Sequence, residues 1–134
     1  MQRNMLQQLA CVAGFATLFA GCSHGPPMGD VHGKVTVNGQ PLAEGSIRFI
    51  PVDGEVQSTG GIITNGSFQV EVPVARQRVE IMANVIDKAK TPPNPTDDQI
   101  VMKALVPKRY NFDSELILDV VPGLNEPVYN LSDP

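Results

Sequence analysis

Asp30-Val31-His32-Gly33-Lys34-Val35-Thr36-Val37-Asn38-Gly39 places valines at 31, 35 and 37, polar residues between them, and an Asn-Gly pair at the end. Period-two alternation with β-branched residues is the pattern of a half-buried strand. Asn-Gly is the dipeptide that best tolerates the positive φ angles of a tight hairpin turn. The same pattern recurs down the chain. Gly45 to Val52 turns Ile47 and Phe49 inward and stops at Asp53-Gly54. Gly60 to Thr64 runs into Asn65-Gly66, and Ser67 to Val72 follows with Phe68, Val70 and Val72 inward and Gln69 and Glu71 outward. Gln77 to Ile86 is the strongest strand pattern, with Val79, Ile81, Ala83 and Val85 on one face and Arg78, Glu80 and Asn84 on the other. Leu116, Leu118 and Val120 alternate with Ile117 and Asp119 up to Pro122-Gly123, and a short last strand carries Tyr129 and Leu131.

No stretch beyond residue 29 has a helical period. About seven short strands with frequent turn signals predict an all-β fold, a single antiparallel β-sandwich over residues 30–134. Register follows from the alternation, because a slip of one residue would expose every inward side chain. Asp87 to Gln99 interrupts the pattern with Pro92, Pro93 and Pro95. Prolines remove ladder donors, so this segment reads as a long loop, a variable excursion or a binding loop.

The other end of the chain sets an address. Leu9 to Ala20 is apolar but shorter than the ~20 residues a spanning helix requires. It ends in Phe19-Ala20-Gly21-Cys22, which resembles a bacterial lipobox. That resemblance implies a diacylglyceryl thioether on Cys22, cleavage before it, and acylation of the new amine. An ordinary signal peptide needs small residues at −3 and −1. Cutting after Ala20 puts Leu18 at −3, and cutting after Gly21 puts Phe19 there. The expected division is therefore a lipoprotein signal peptide at 1–21, a lipidated tether at 22–29 and one domain at 30–134. Pro26, Pro27, Gly25 and Gly29 keep the tether irregular, and its reach of ~3.5 Å per residue holds the domain within roughly 25 Å of a membrane. Ser23, rather than an aspartate, after Cys22 favours the outer membrane over the inner.

Removing residues 1–21 from the 134 leaves 113, enough for one core. The whole chain carries a net charge of −4, and the leader takes Arg3 with it. An acidic chain without a basic run is a poor partner for nucleic acid or for anionic headgroups. Cys11 leaves with the leader and Cys22 is consumed by lipid, so no disulfide is expected.

Val31-x-Gly33-Lys34-Val35-Thr36-Val37-x-Gly39-x-Pro41-Leu42, Glu44-Gly45-x-Ile47-x-Phe49-x-Pro51, Val106-Pro107-x-x-Tyr110-Asn111-x-x-Ser114-x-Leu116, Gly123-x-Asn125 and Tyr129-Asn130-Leu131 together resemble the bacterial carboxypeptidase regulatory-like domain. The resemblance implies a transthyretin-like (prealbumin-like) Greek-key β-sandwich behind a lipobox. It supplies a fold and a location and no activity. The residues also have physical roles of their own. Tyr110 offers a buried ring whose hydroxyl ties a loop to backbone, Asn111 suits an Asx-type turn, and Ser114 suits its cap.

Chemistry is sparse. His24 falls in the tether and His32 on the polar face of the first strand. Asp30 and His32 share that face, but two ligands do not close a zinc site. Asp97-Asp98 lacks the Asp-x-Asp-x-Asp-Gly spacing of a calcium loop. The transthyretin-like fold includes hydroxyisourate hydrolase, which uses histidines, an arginine and a terminal Tyr-Arg-Gly-Ser. The corresponding segment here reads Tyr129-Asn130-Leu131-Ser132-Asp133-Pro134, and no histidine lies in the later strands. No catalytic residue, cofactor or metal is expected, and Cys22 is the one modification site. The expected function is a non-enzymatic, lipid-anchored envelope protein presenting an interaction or structural module. A carbohydrate- or small-ligand-binding module is the alternative, and a hydrolase the third reading. Ile50, Met82 and Ile117 fall on outward positions and are the candidate contact patch for an envelope protein partner.

Overall fold

A computed structural model of the chain describes residues 24–133. The expected leader at 1–21, the expected lipidation site Cys22 and Ser23 lie outside the described residues. His24 to Pro27 form an exposed lead without regular structure. The strands are β1 (Met28–Val37), β2 (Gln40–Pro41), β3 (Glu44–Pro51), β4 (Thr59–Thr64), β5 (Ser67–Pro73), β6 (Arg76–Met82), β7 (Asn84–Ile86), β8 (Met102–Ala104), β9 (Ile117–Asp119), β10 (Gly123–Asn125) and β11 (Val128–Leu131). Helical structure among the described residues is limited to single 3-10 turns at Asp97–Gln99 and Lys108–Tyr110. The first strand starts at Met28, two residues before the expected domain start at Asp30.

The main path runs β10-β1-β5-β4-β3-β6-β9, with β2 and β11 also on β1. This sheet curls over on itself at β4 and β5, which share the single paired position Thr64 with Ser67 among the described residues. One half, around β1 and β5, then faces the other, around β3, β4 and β6. Val31, Val35, Phe68 and Val72 meet Ile47, Phe49, Ile63, Val79 and Ile81 in one buried cluster. The hairpin signals hold. Asn38 and Gly39 adopt φ of 51° and 80°, and Asn65 and Gly66 adopt 49° and 74°. Both central residues are left-handed, the geometry that matches the twist of the flanking strands.

Three features differ from the sequence reading. The Gln77 to Ile86 strand stops at Met82, because its partner β3 begins at Glu44 and the ladder runs out at Ser46 with Met82. The chain then pairs Asn84–Ile86 with Met102–Ala104 as a separate two-stranded ribbon, which leaves Val85 exposed. The Asp87 to Gln99 excursion is consequently the tip of a hairpin. Gln99 Oε1 accepts the Thr96 N–H at 3.1 Å, and Thr91 Oγ1 accepts the Val101 N–H at 3.0 Å. Second, Glu80 faces outward but is buried. Arg78 donates to it at 2.9 Å and Arg48 lies 4.0 Å away, and the two guanidinium stems cover it. Third, β10 and β11 run parallel to β1, with Gly29 opposite Gly123 and Val35 opposite Tyr129, within a sheet that is otherwise antiparallel.

Gly33 sits opposite Phe68 in the β1–β5 ladder. A Cβ at position 33 would overlap the Phe68 ring and lie 2.9 Å from the Pro127 carbonyl oxygen. The ring therefore lies flat across the glycine, its centroid 6.1 Å from Phe49 and 6.4 Å from Tyr129. Asn125 is also buried and holds the 121–125 turn. Its Nδ2 donates to the carbonyls of Val121 (2.9 Å), Gly123 (3.0 Å) and, across to β1, Asp30 (3.4 Å), and its Oδ1 accepts the Val121 N–H at 3.0 Å.

Gly33→Ala is expected to destabilise the protein by about 1–3 kcal/mol through overpacking, seen as a lower urea midpoint at unchanged slope. Asn125→Ala removes the side chain that ties Val121, Gly123 and Asp30 together and is expected to cost about 1 kcal/mol by the same assay. An unchanged midpoint for either variant contradicts this account of the core.

Candidate functional site

The outer face of β1 and β5 is polar by register. Asp30 opposes Glu71, His32 opposes Gln69 and Lys34 opposes Ser67. His32, Lys34, Gln69 and Glu126 border a shallow open depression with the exposed Ile62 at its edge. Asp30 and His32 are both exposed there. Asp97 and Asp98 lie far along the chain, in the ribbon tip, exposed. No group of three or more His, Cys, Asp or Glu side chains converges on a possible metal position among the described residues.

The outer face of β3, β6 and β9 brings two of the three outward apolar residues together. Ile50 pairs with Arg78, and Arg78 pairs with Ile117, so the two isoleucines flank one arginine. They share a depression with Pro51 and Val52. Met82 is four residues along β6 from Arg78, roughly 13 Å at strand rise. The Arg48–Glu80–Arg78 cluster lies between, and Met82 borders a different depression with Glu44, Gly45 and Ser46. The patch is therefore Ile50, Ile117 and Val52, with Met82 apart. Val52 was not flagged by its neighbours in sequence, although it shares parity with Ile50.

Tyr110 acts much as its position suggests, though its ring is half-buried rather than buried. Its hydroxyl donates to the Ser132 carbonyl and accepts the Ser132 N–H, both at 3.4 Å, which joins the 3-10 turn to the chain end. These Ser132 bonds hold its pKa below the ordinary tyrosine value. Arg109 lies over the ring at 4.8 Å and also reaches Ser132. Asn111 Oδ1 accepts the Phe112 N–H, one residue on rather than the two of an Asx turn. Ser114 is buried, donates to the Val79 carbonyl and accepts the Leu116 N–H at 3.2 Å. These side chains tie loop to sheet, and Arg109 and Tyr110 also border an open depression of about 410 Å³ with Asp113, Glu115 and Leu116.

Tyr129 is the most perturbed titratable group. Its ring is in the core and its hydroxyl has no hydrogen-bond partner. Burial pushes its pKa well above the ordinary value. No family model matches this chain, and no curated protein or solved structure matches it either.

The unfolded chain ionises Tyr129 near pH ~10 while the folded chain keeps it protonated, so above that pH the folded state holds the extra proton and stability falls as pH rises. Urea midpoints of the full chain measured from about pH 8 to about pH 11 are expected to drop more steeply for wild type than for Tyr129→Phe. Parallel curves would show that the phenol is solvated.

Proposed function

We propose that this protein is a lipid-anchored, non-enzymatic β-body of the bacterial cell envelope, held by diacylglycerol and an amide-linked chain on Cys22. Two acyl signals exceed the threshold for stable anchoring. The observation that carries the reading is the junction between leader and body. Phe19-Ala20-Gly21-Cys22 closes an apolar run, and His24 to Pro27 then lead, exposed and without regular structure, into β1 at one end of the curled sheet. Such a lead lets a body hang from a modified residue 22 without disturbing the core. Ser23 favours the outer membrane. We assign the finer fold to the transthyretin-like, Greek-key sandwich of carboxypeptidase regulatory-like domains. The order β1-β5-β4-β3-β6-β9 and the facing halves support that assignment.

The function of such a body is to present a surface at raised local concentration to a neighbouring envelope protein. The Ile50–Ile117 pair supplies an apolar contact for it. The carbohydrate-binding alternative is weaker. Of the two tyrosines, Tyr129 is committed to the core, and Tyr110 has its hydroxyl held by Ser132 and Arg109 over its ring, which leaves few platforms to stack on a sugar. The hydrolase reading would need partners for His32, which lies exposed on a polar strand face.

Cys22→Ser is expected to abolish incorporation of labelled fatty acid and to release the protein from the membrane fraction. Retention in membranes without label would leave an uncleaved anchor as the explanation and would falsify the lipoprotein reading.

A further inference from the structure

The strand register puts a defined set of loops at the end where the chain enters. Met28 pairs with Pro73, Gly29 with Gly123, Arg76 with Asp119, and Gln77 with Pro51. The segments 52–58, 73–76 and 120–123 therefore surround the start of β1. The opposite end holds the Asn38-Gly39 and Asn65-Gly66 turns and the β7–β8 ribbon. Four large apolar side chains stand out at the entry end: Met28, Val52, Val121 and Leu124 are 42%, 58%, 54% and 57% exposed. Beside them Pro26, Met28, Val56 and Pro73 line a groove of about 400 Å³.

We propose that this end of the body rests on the bilayer surface, with Met28, Val52, Val121 and Leu124 in the headgroup layer. The inference rests on the lipid anchor at Cys22 and gives the body an orientation that the anchor alone does not. Met28 is six residues from Cys22, so a fully extended lead separates them by roughly 20 Å at most. The ribbon end exposes apolar side chains too, Ile86 and Met102 among them, so it is the short lead that singles out the entry end as the one held within reach of the lipid surface. Charge selects the kind of surface. Arg76, the basic residue at this end, is 3.9 Å from Asp119, and Asp53 and Glu55 lie in the adjoining loop. The occupant is therefore a zwitterionic surface, such as phosphatidylcholine or phosphatidylethanolamine, rather than an anionic one. Apolar side chains at an interface are stabilised by burial at the boundary between headgroups and acyl chains. The ribbon at the far end then projects away from the membrane.

The test uses the full lipidated chain on phosphatidylcholine–phosphatidylethanolamine vesicles, with a nitroxide on one introduced cysteine. Val52→Cys, Val121→Cys and Leu124→Cys report the entry end, and Ile86→Cys and Lys103→Cys report the ribbon. All five positions are exposed, so the fold tolerates them. Labels at 52, 121 and 124 are expected to show a several-fold higher ratio of oxygen to nickel-chelate accessibility than labels at 86 and 103. Equal aqueous accessibility at both ends, in protein that sediments with the vesicles, overturns the orientation and leaves the anchor intact. Labelled protein that stays in the supernatant overturns the anchor, and the orientation with it.

Discussion

The Phe68 ring lying across Gly33 is the contact on which the rest of the body depends. It fills the space a side chain at 33 would take, and it reaches Phe49 in the facing half and Tyr129 beside it. Three segments distant in sequence therefore meet at one ring. Because β4 and β5 share one paired position, little backbone hydrogen bonding joins the two halves there. Side-chain packing holds them together instead, and the tilted Phe49–Phe68 pair and the stacked Phe68–Tyr129 pair add to it.

Polar groups in the interior are arranged to serve that packing. Asn125 satisfies a turn that backbone pairing alone leaves open, and Ser114 bridges a loop to the Val79 carbonyl. Glu80 is the exception in kind, a carboxylate shielded by the stems of two arginines on an outer sheet face. Such a cluster fixes register more than it adds net stability, since desolvating the charges offsets much of their attraction. It also divides the outer face into an apolar part near Ile117 and a separate position at Met82.

Much of this was legible in the residue order. Val31, Val35, Ile47, Phe49, Phe68 and Val72 are buried where alternation put them, and the two Asn-Gly pairs turn as their chemistry requires. What alternation does not carry is where a partner ends. Residues 77 to 86 alternate without a break, yet the strand stops where β3 does, and Val85 leaves the core. Nor does parity say that long neighbouring side chains will cover Glu80. Parallel pairing of β10 and β11 was equally hidden, because direction is set by how the chain returns across the fold and not by local pattern. At the candidate surface, Ile50 and Ile117 could be paired from outward parity. Val121 and Leu124 could not, since they flank a turn and belong together only once the register closes that end.

The last strand also has a consequence for when the body can form. Val35 is completed by Tyr129, and Lys34 donates its N–H to the Pro127 carbonyl, so the first strand needs neighbours more than ninety positions further along. Contacts this distant demand closure of a very long loop before they give any return, which slows folding. A chain delivered from its N-terminus cannot seal its interior until the segment 123–131 has left the ribosome. Up to that point it stays open, and threadable.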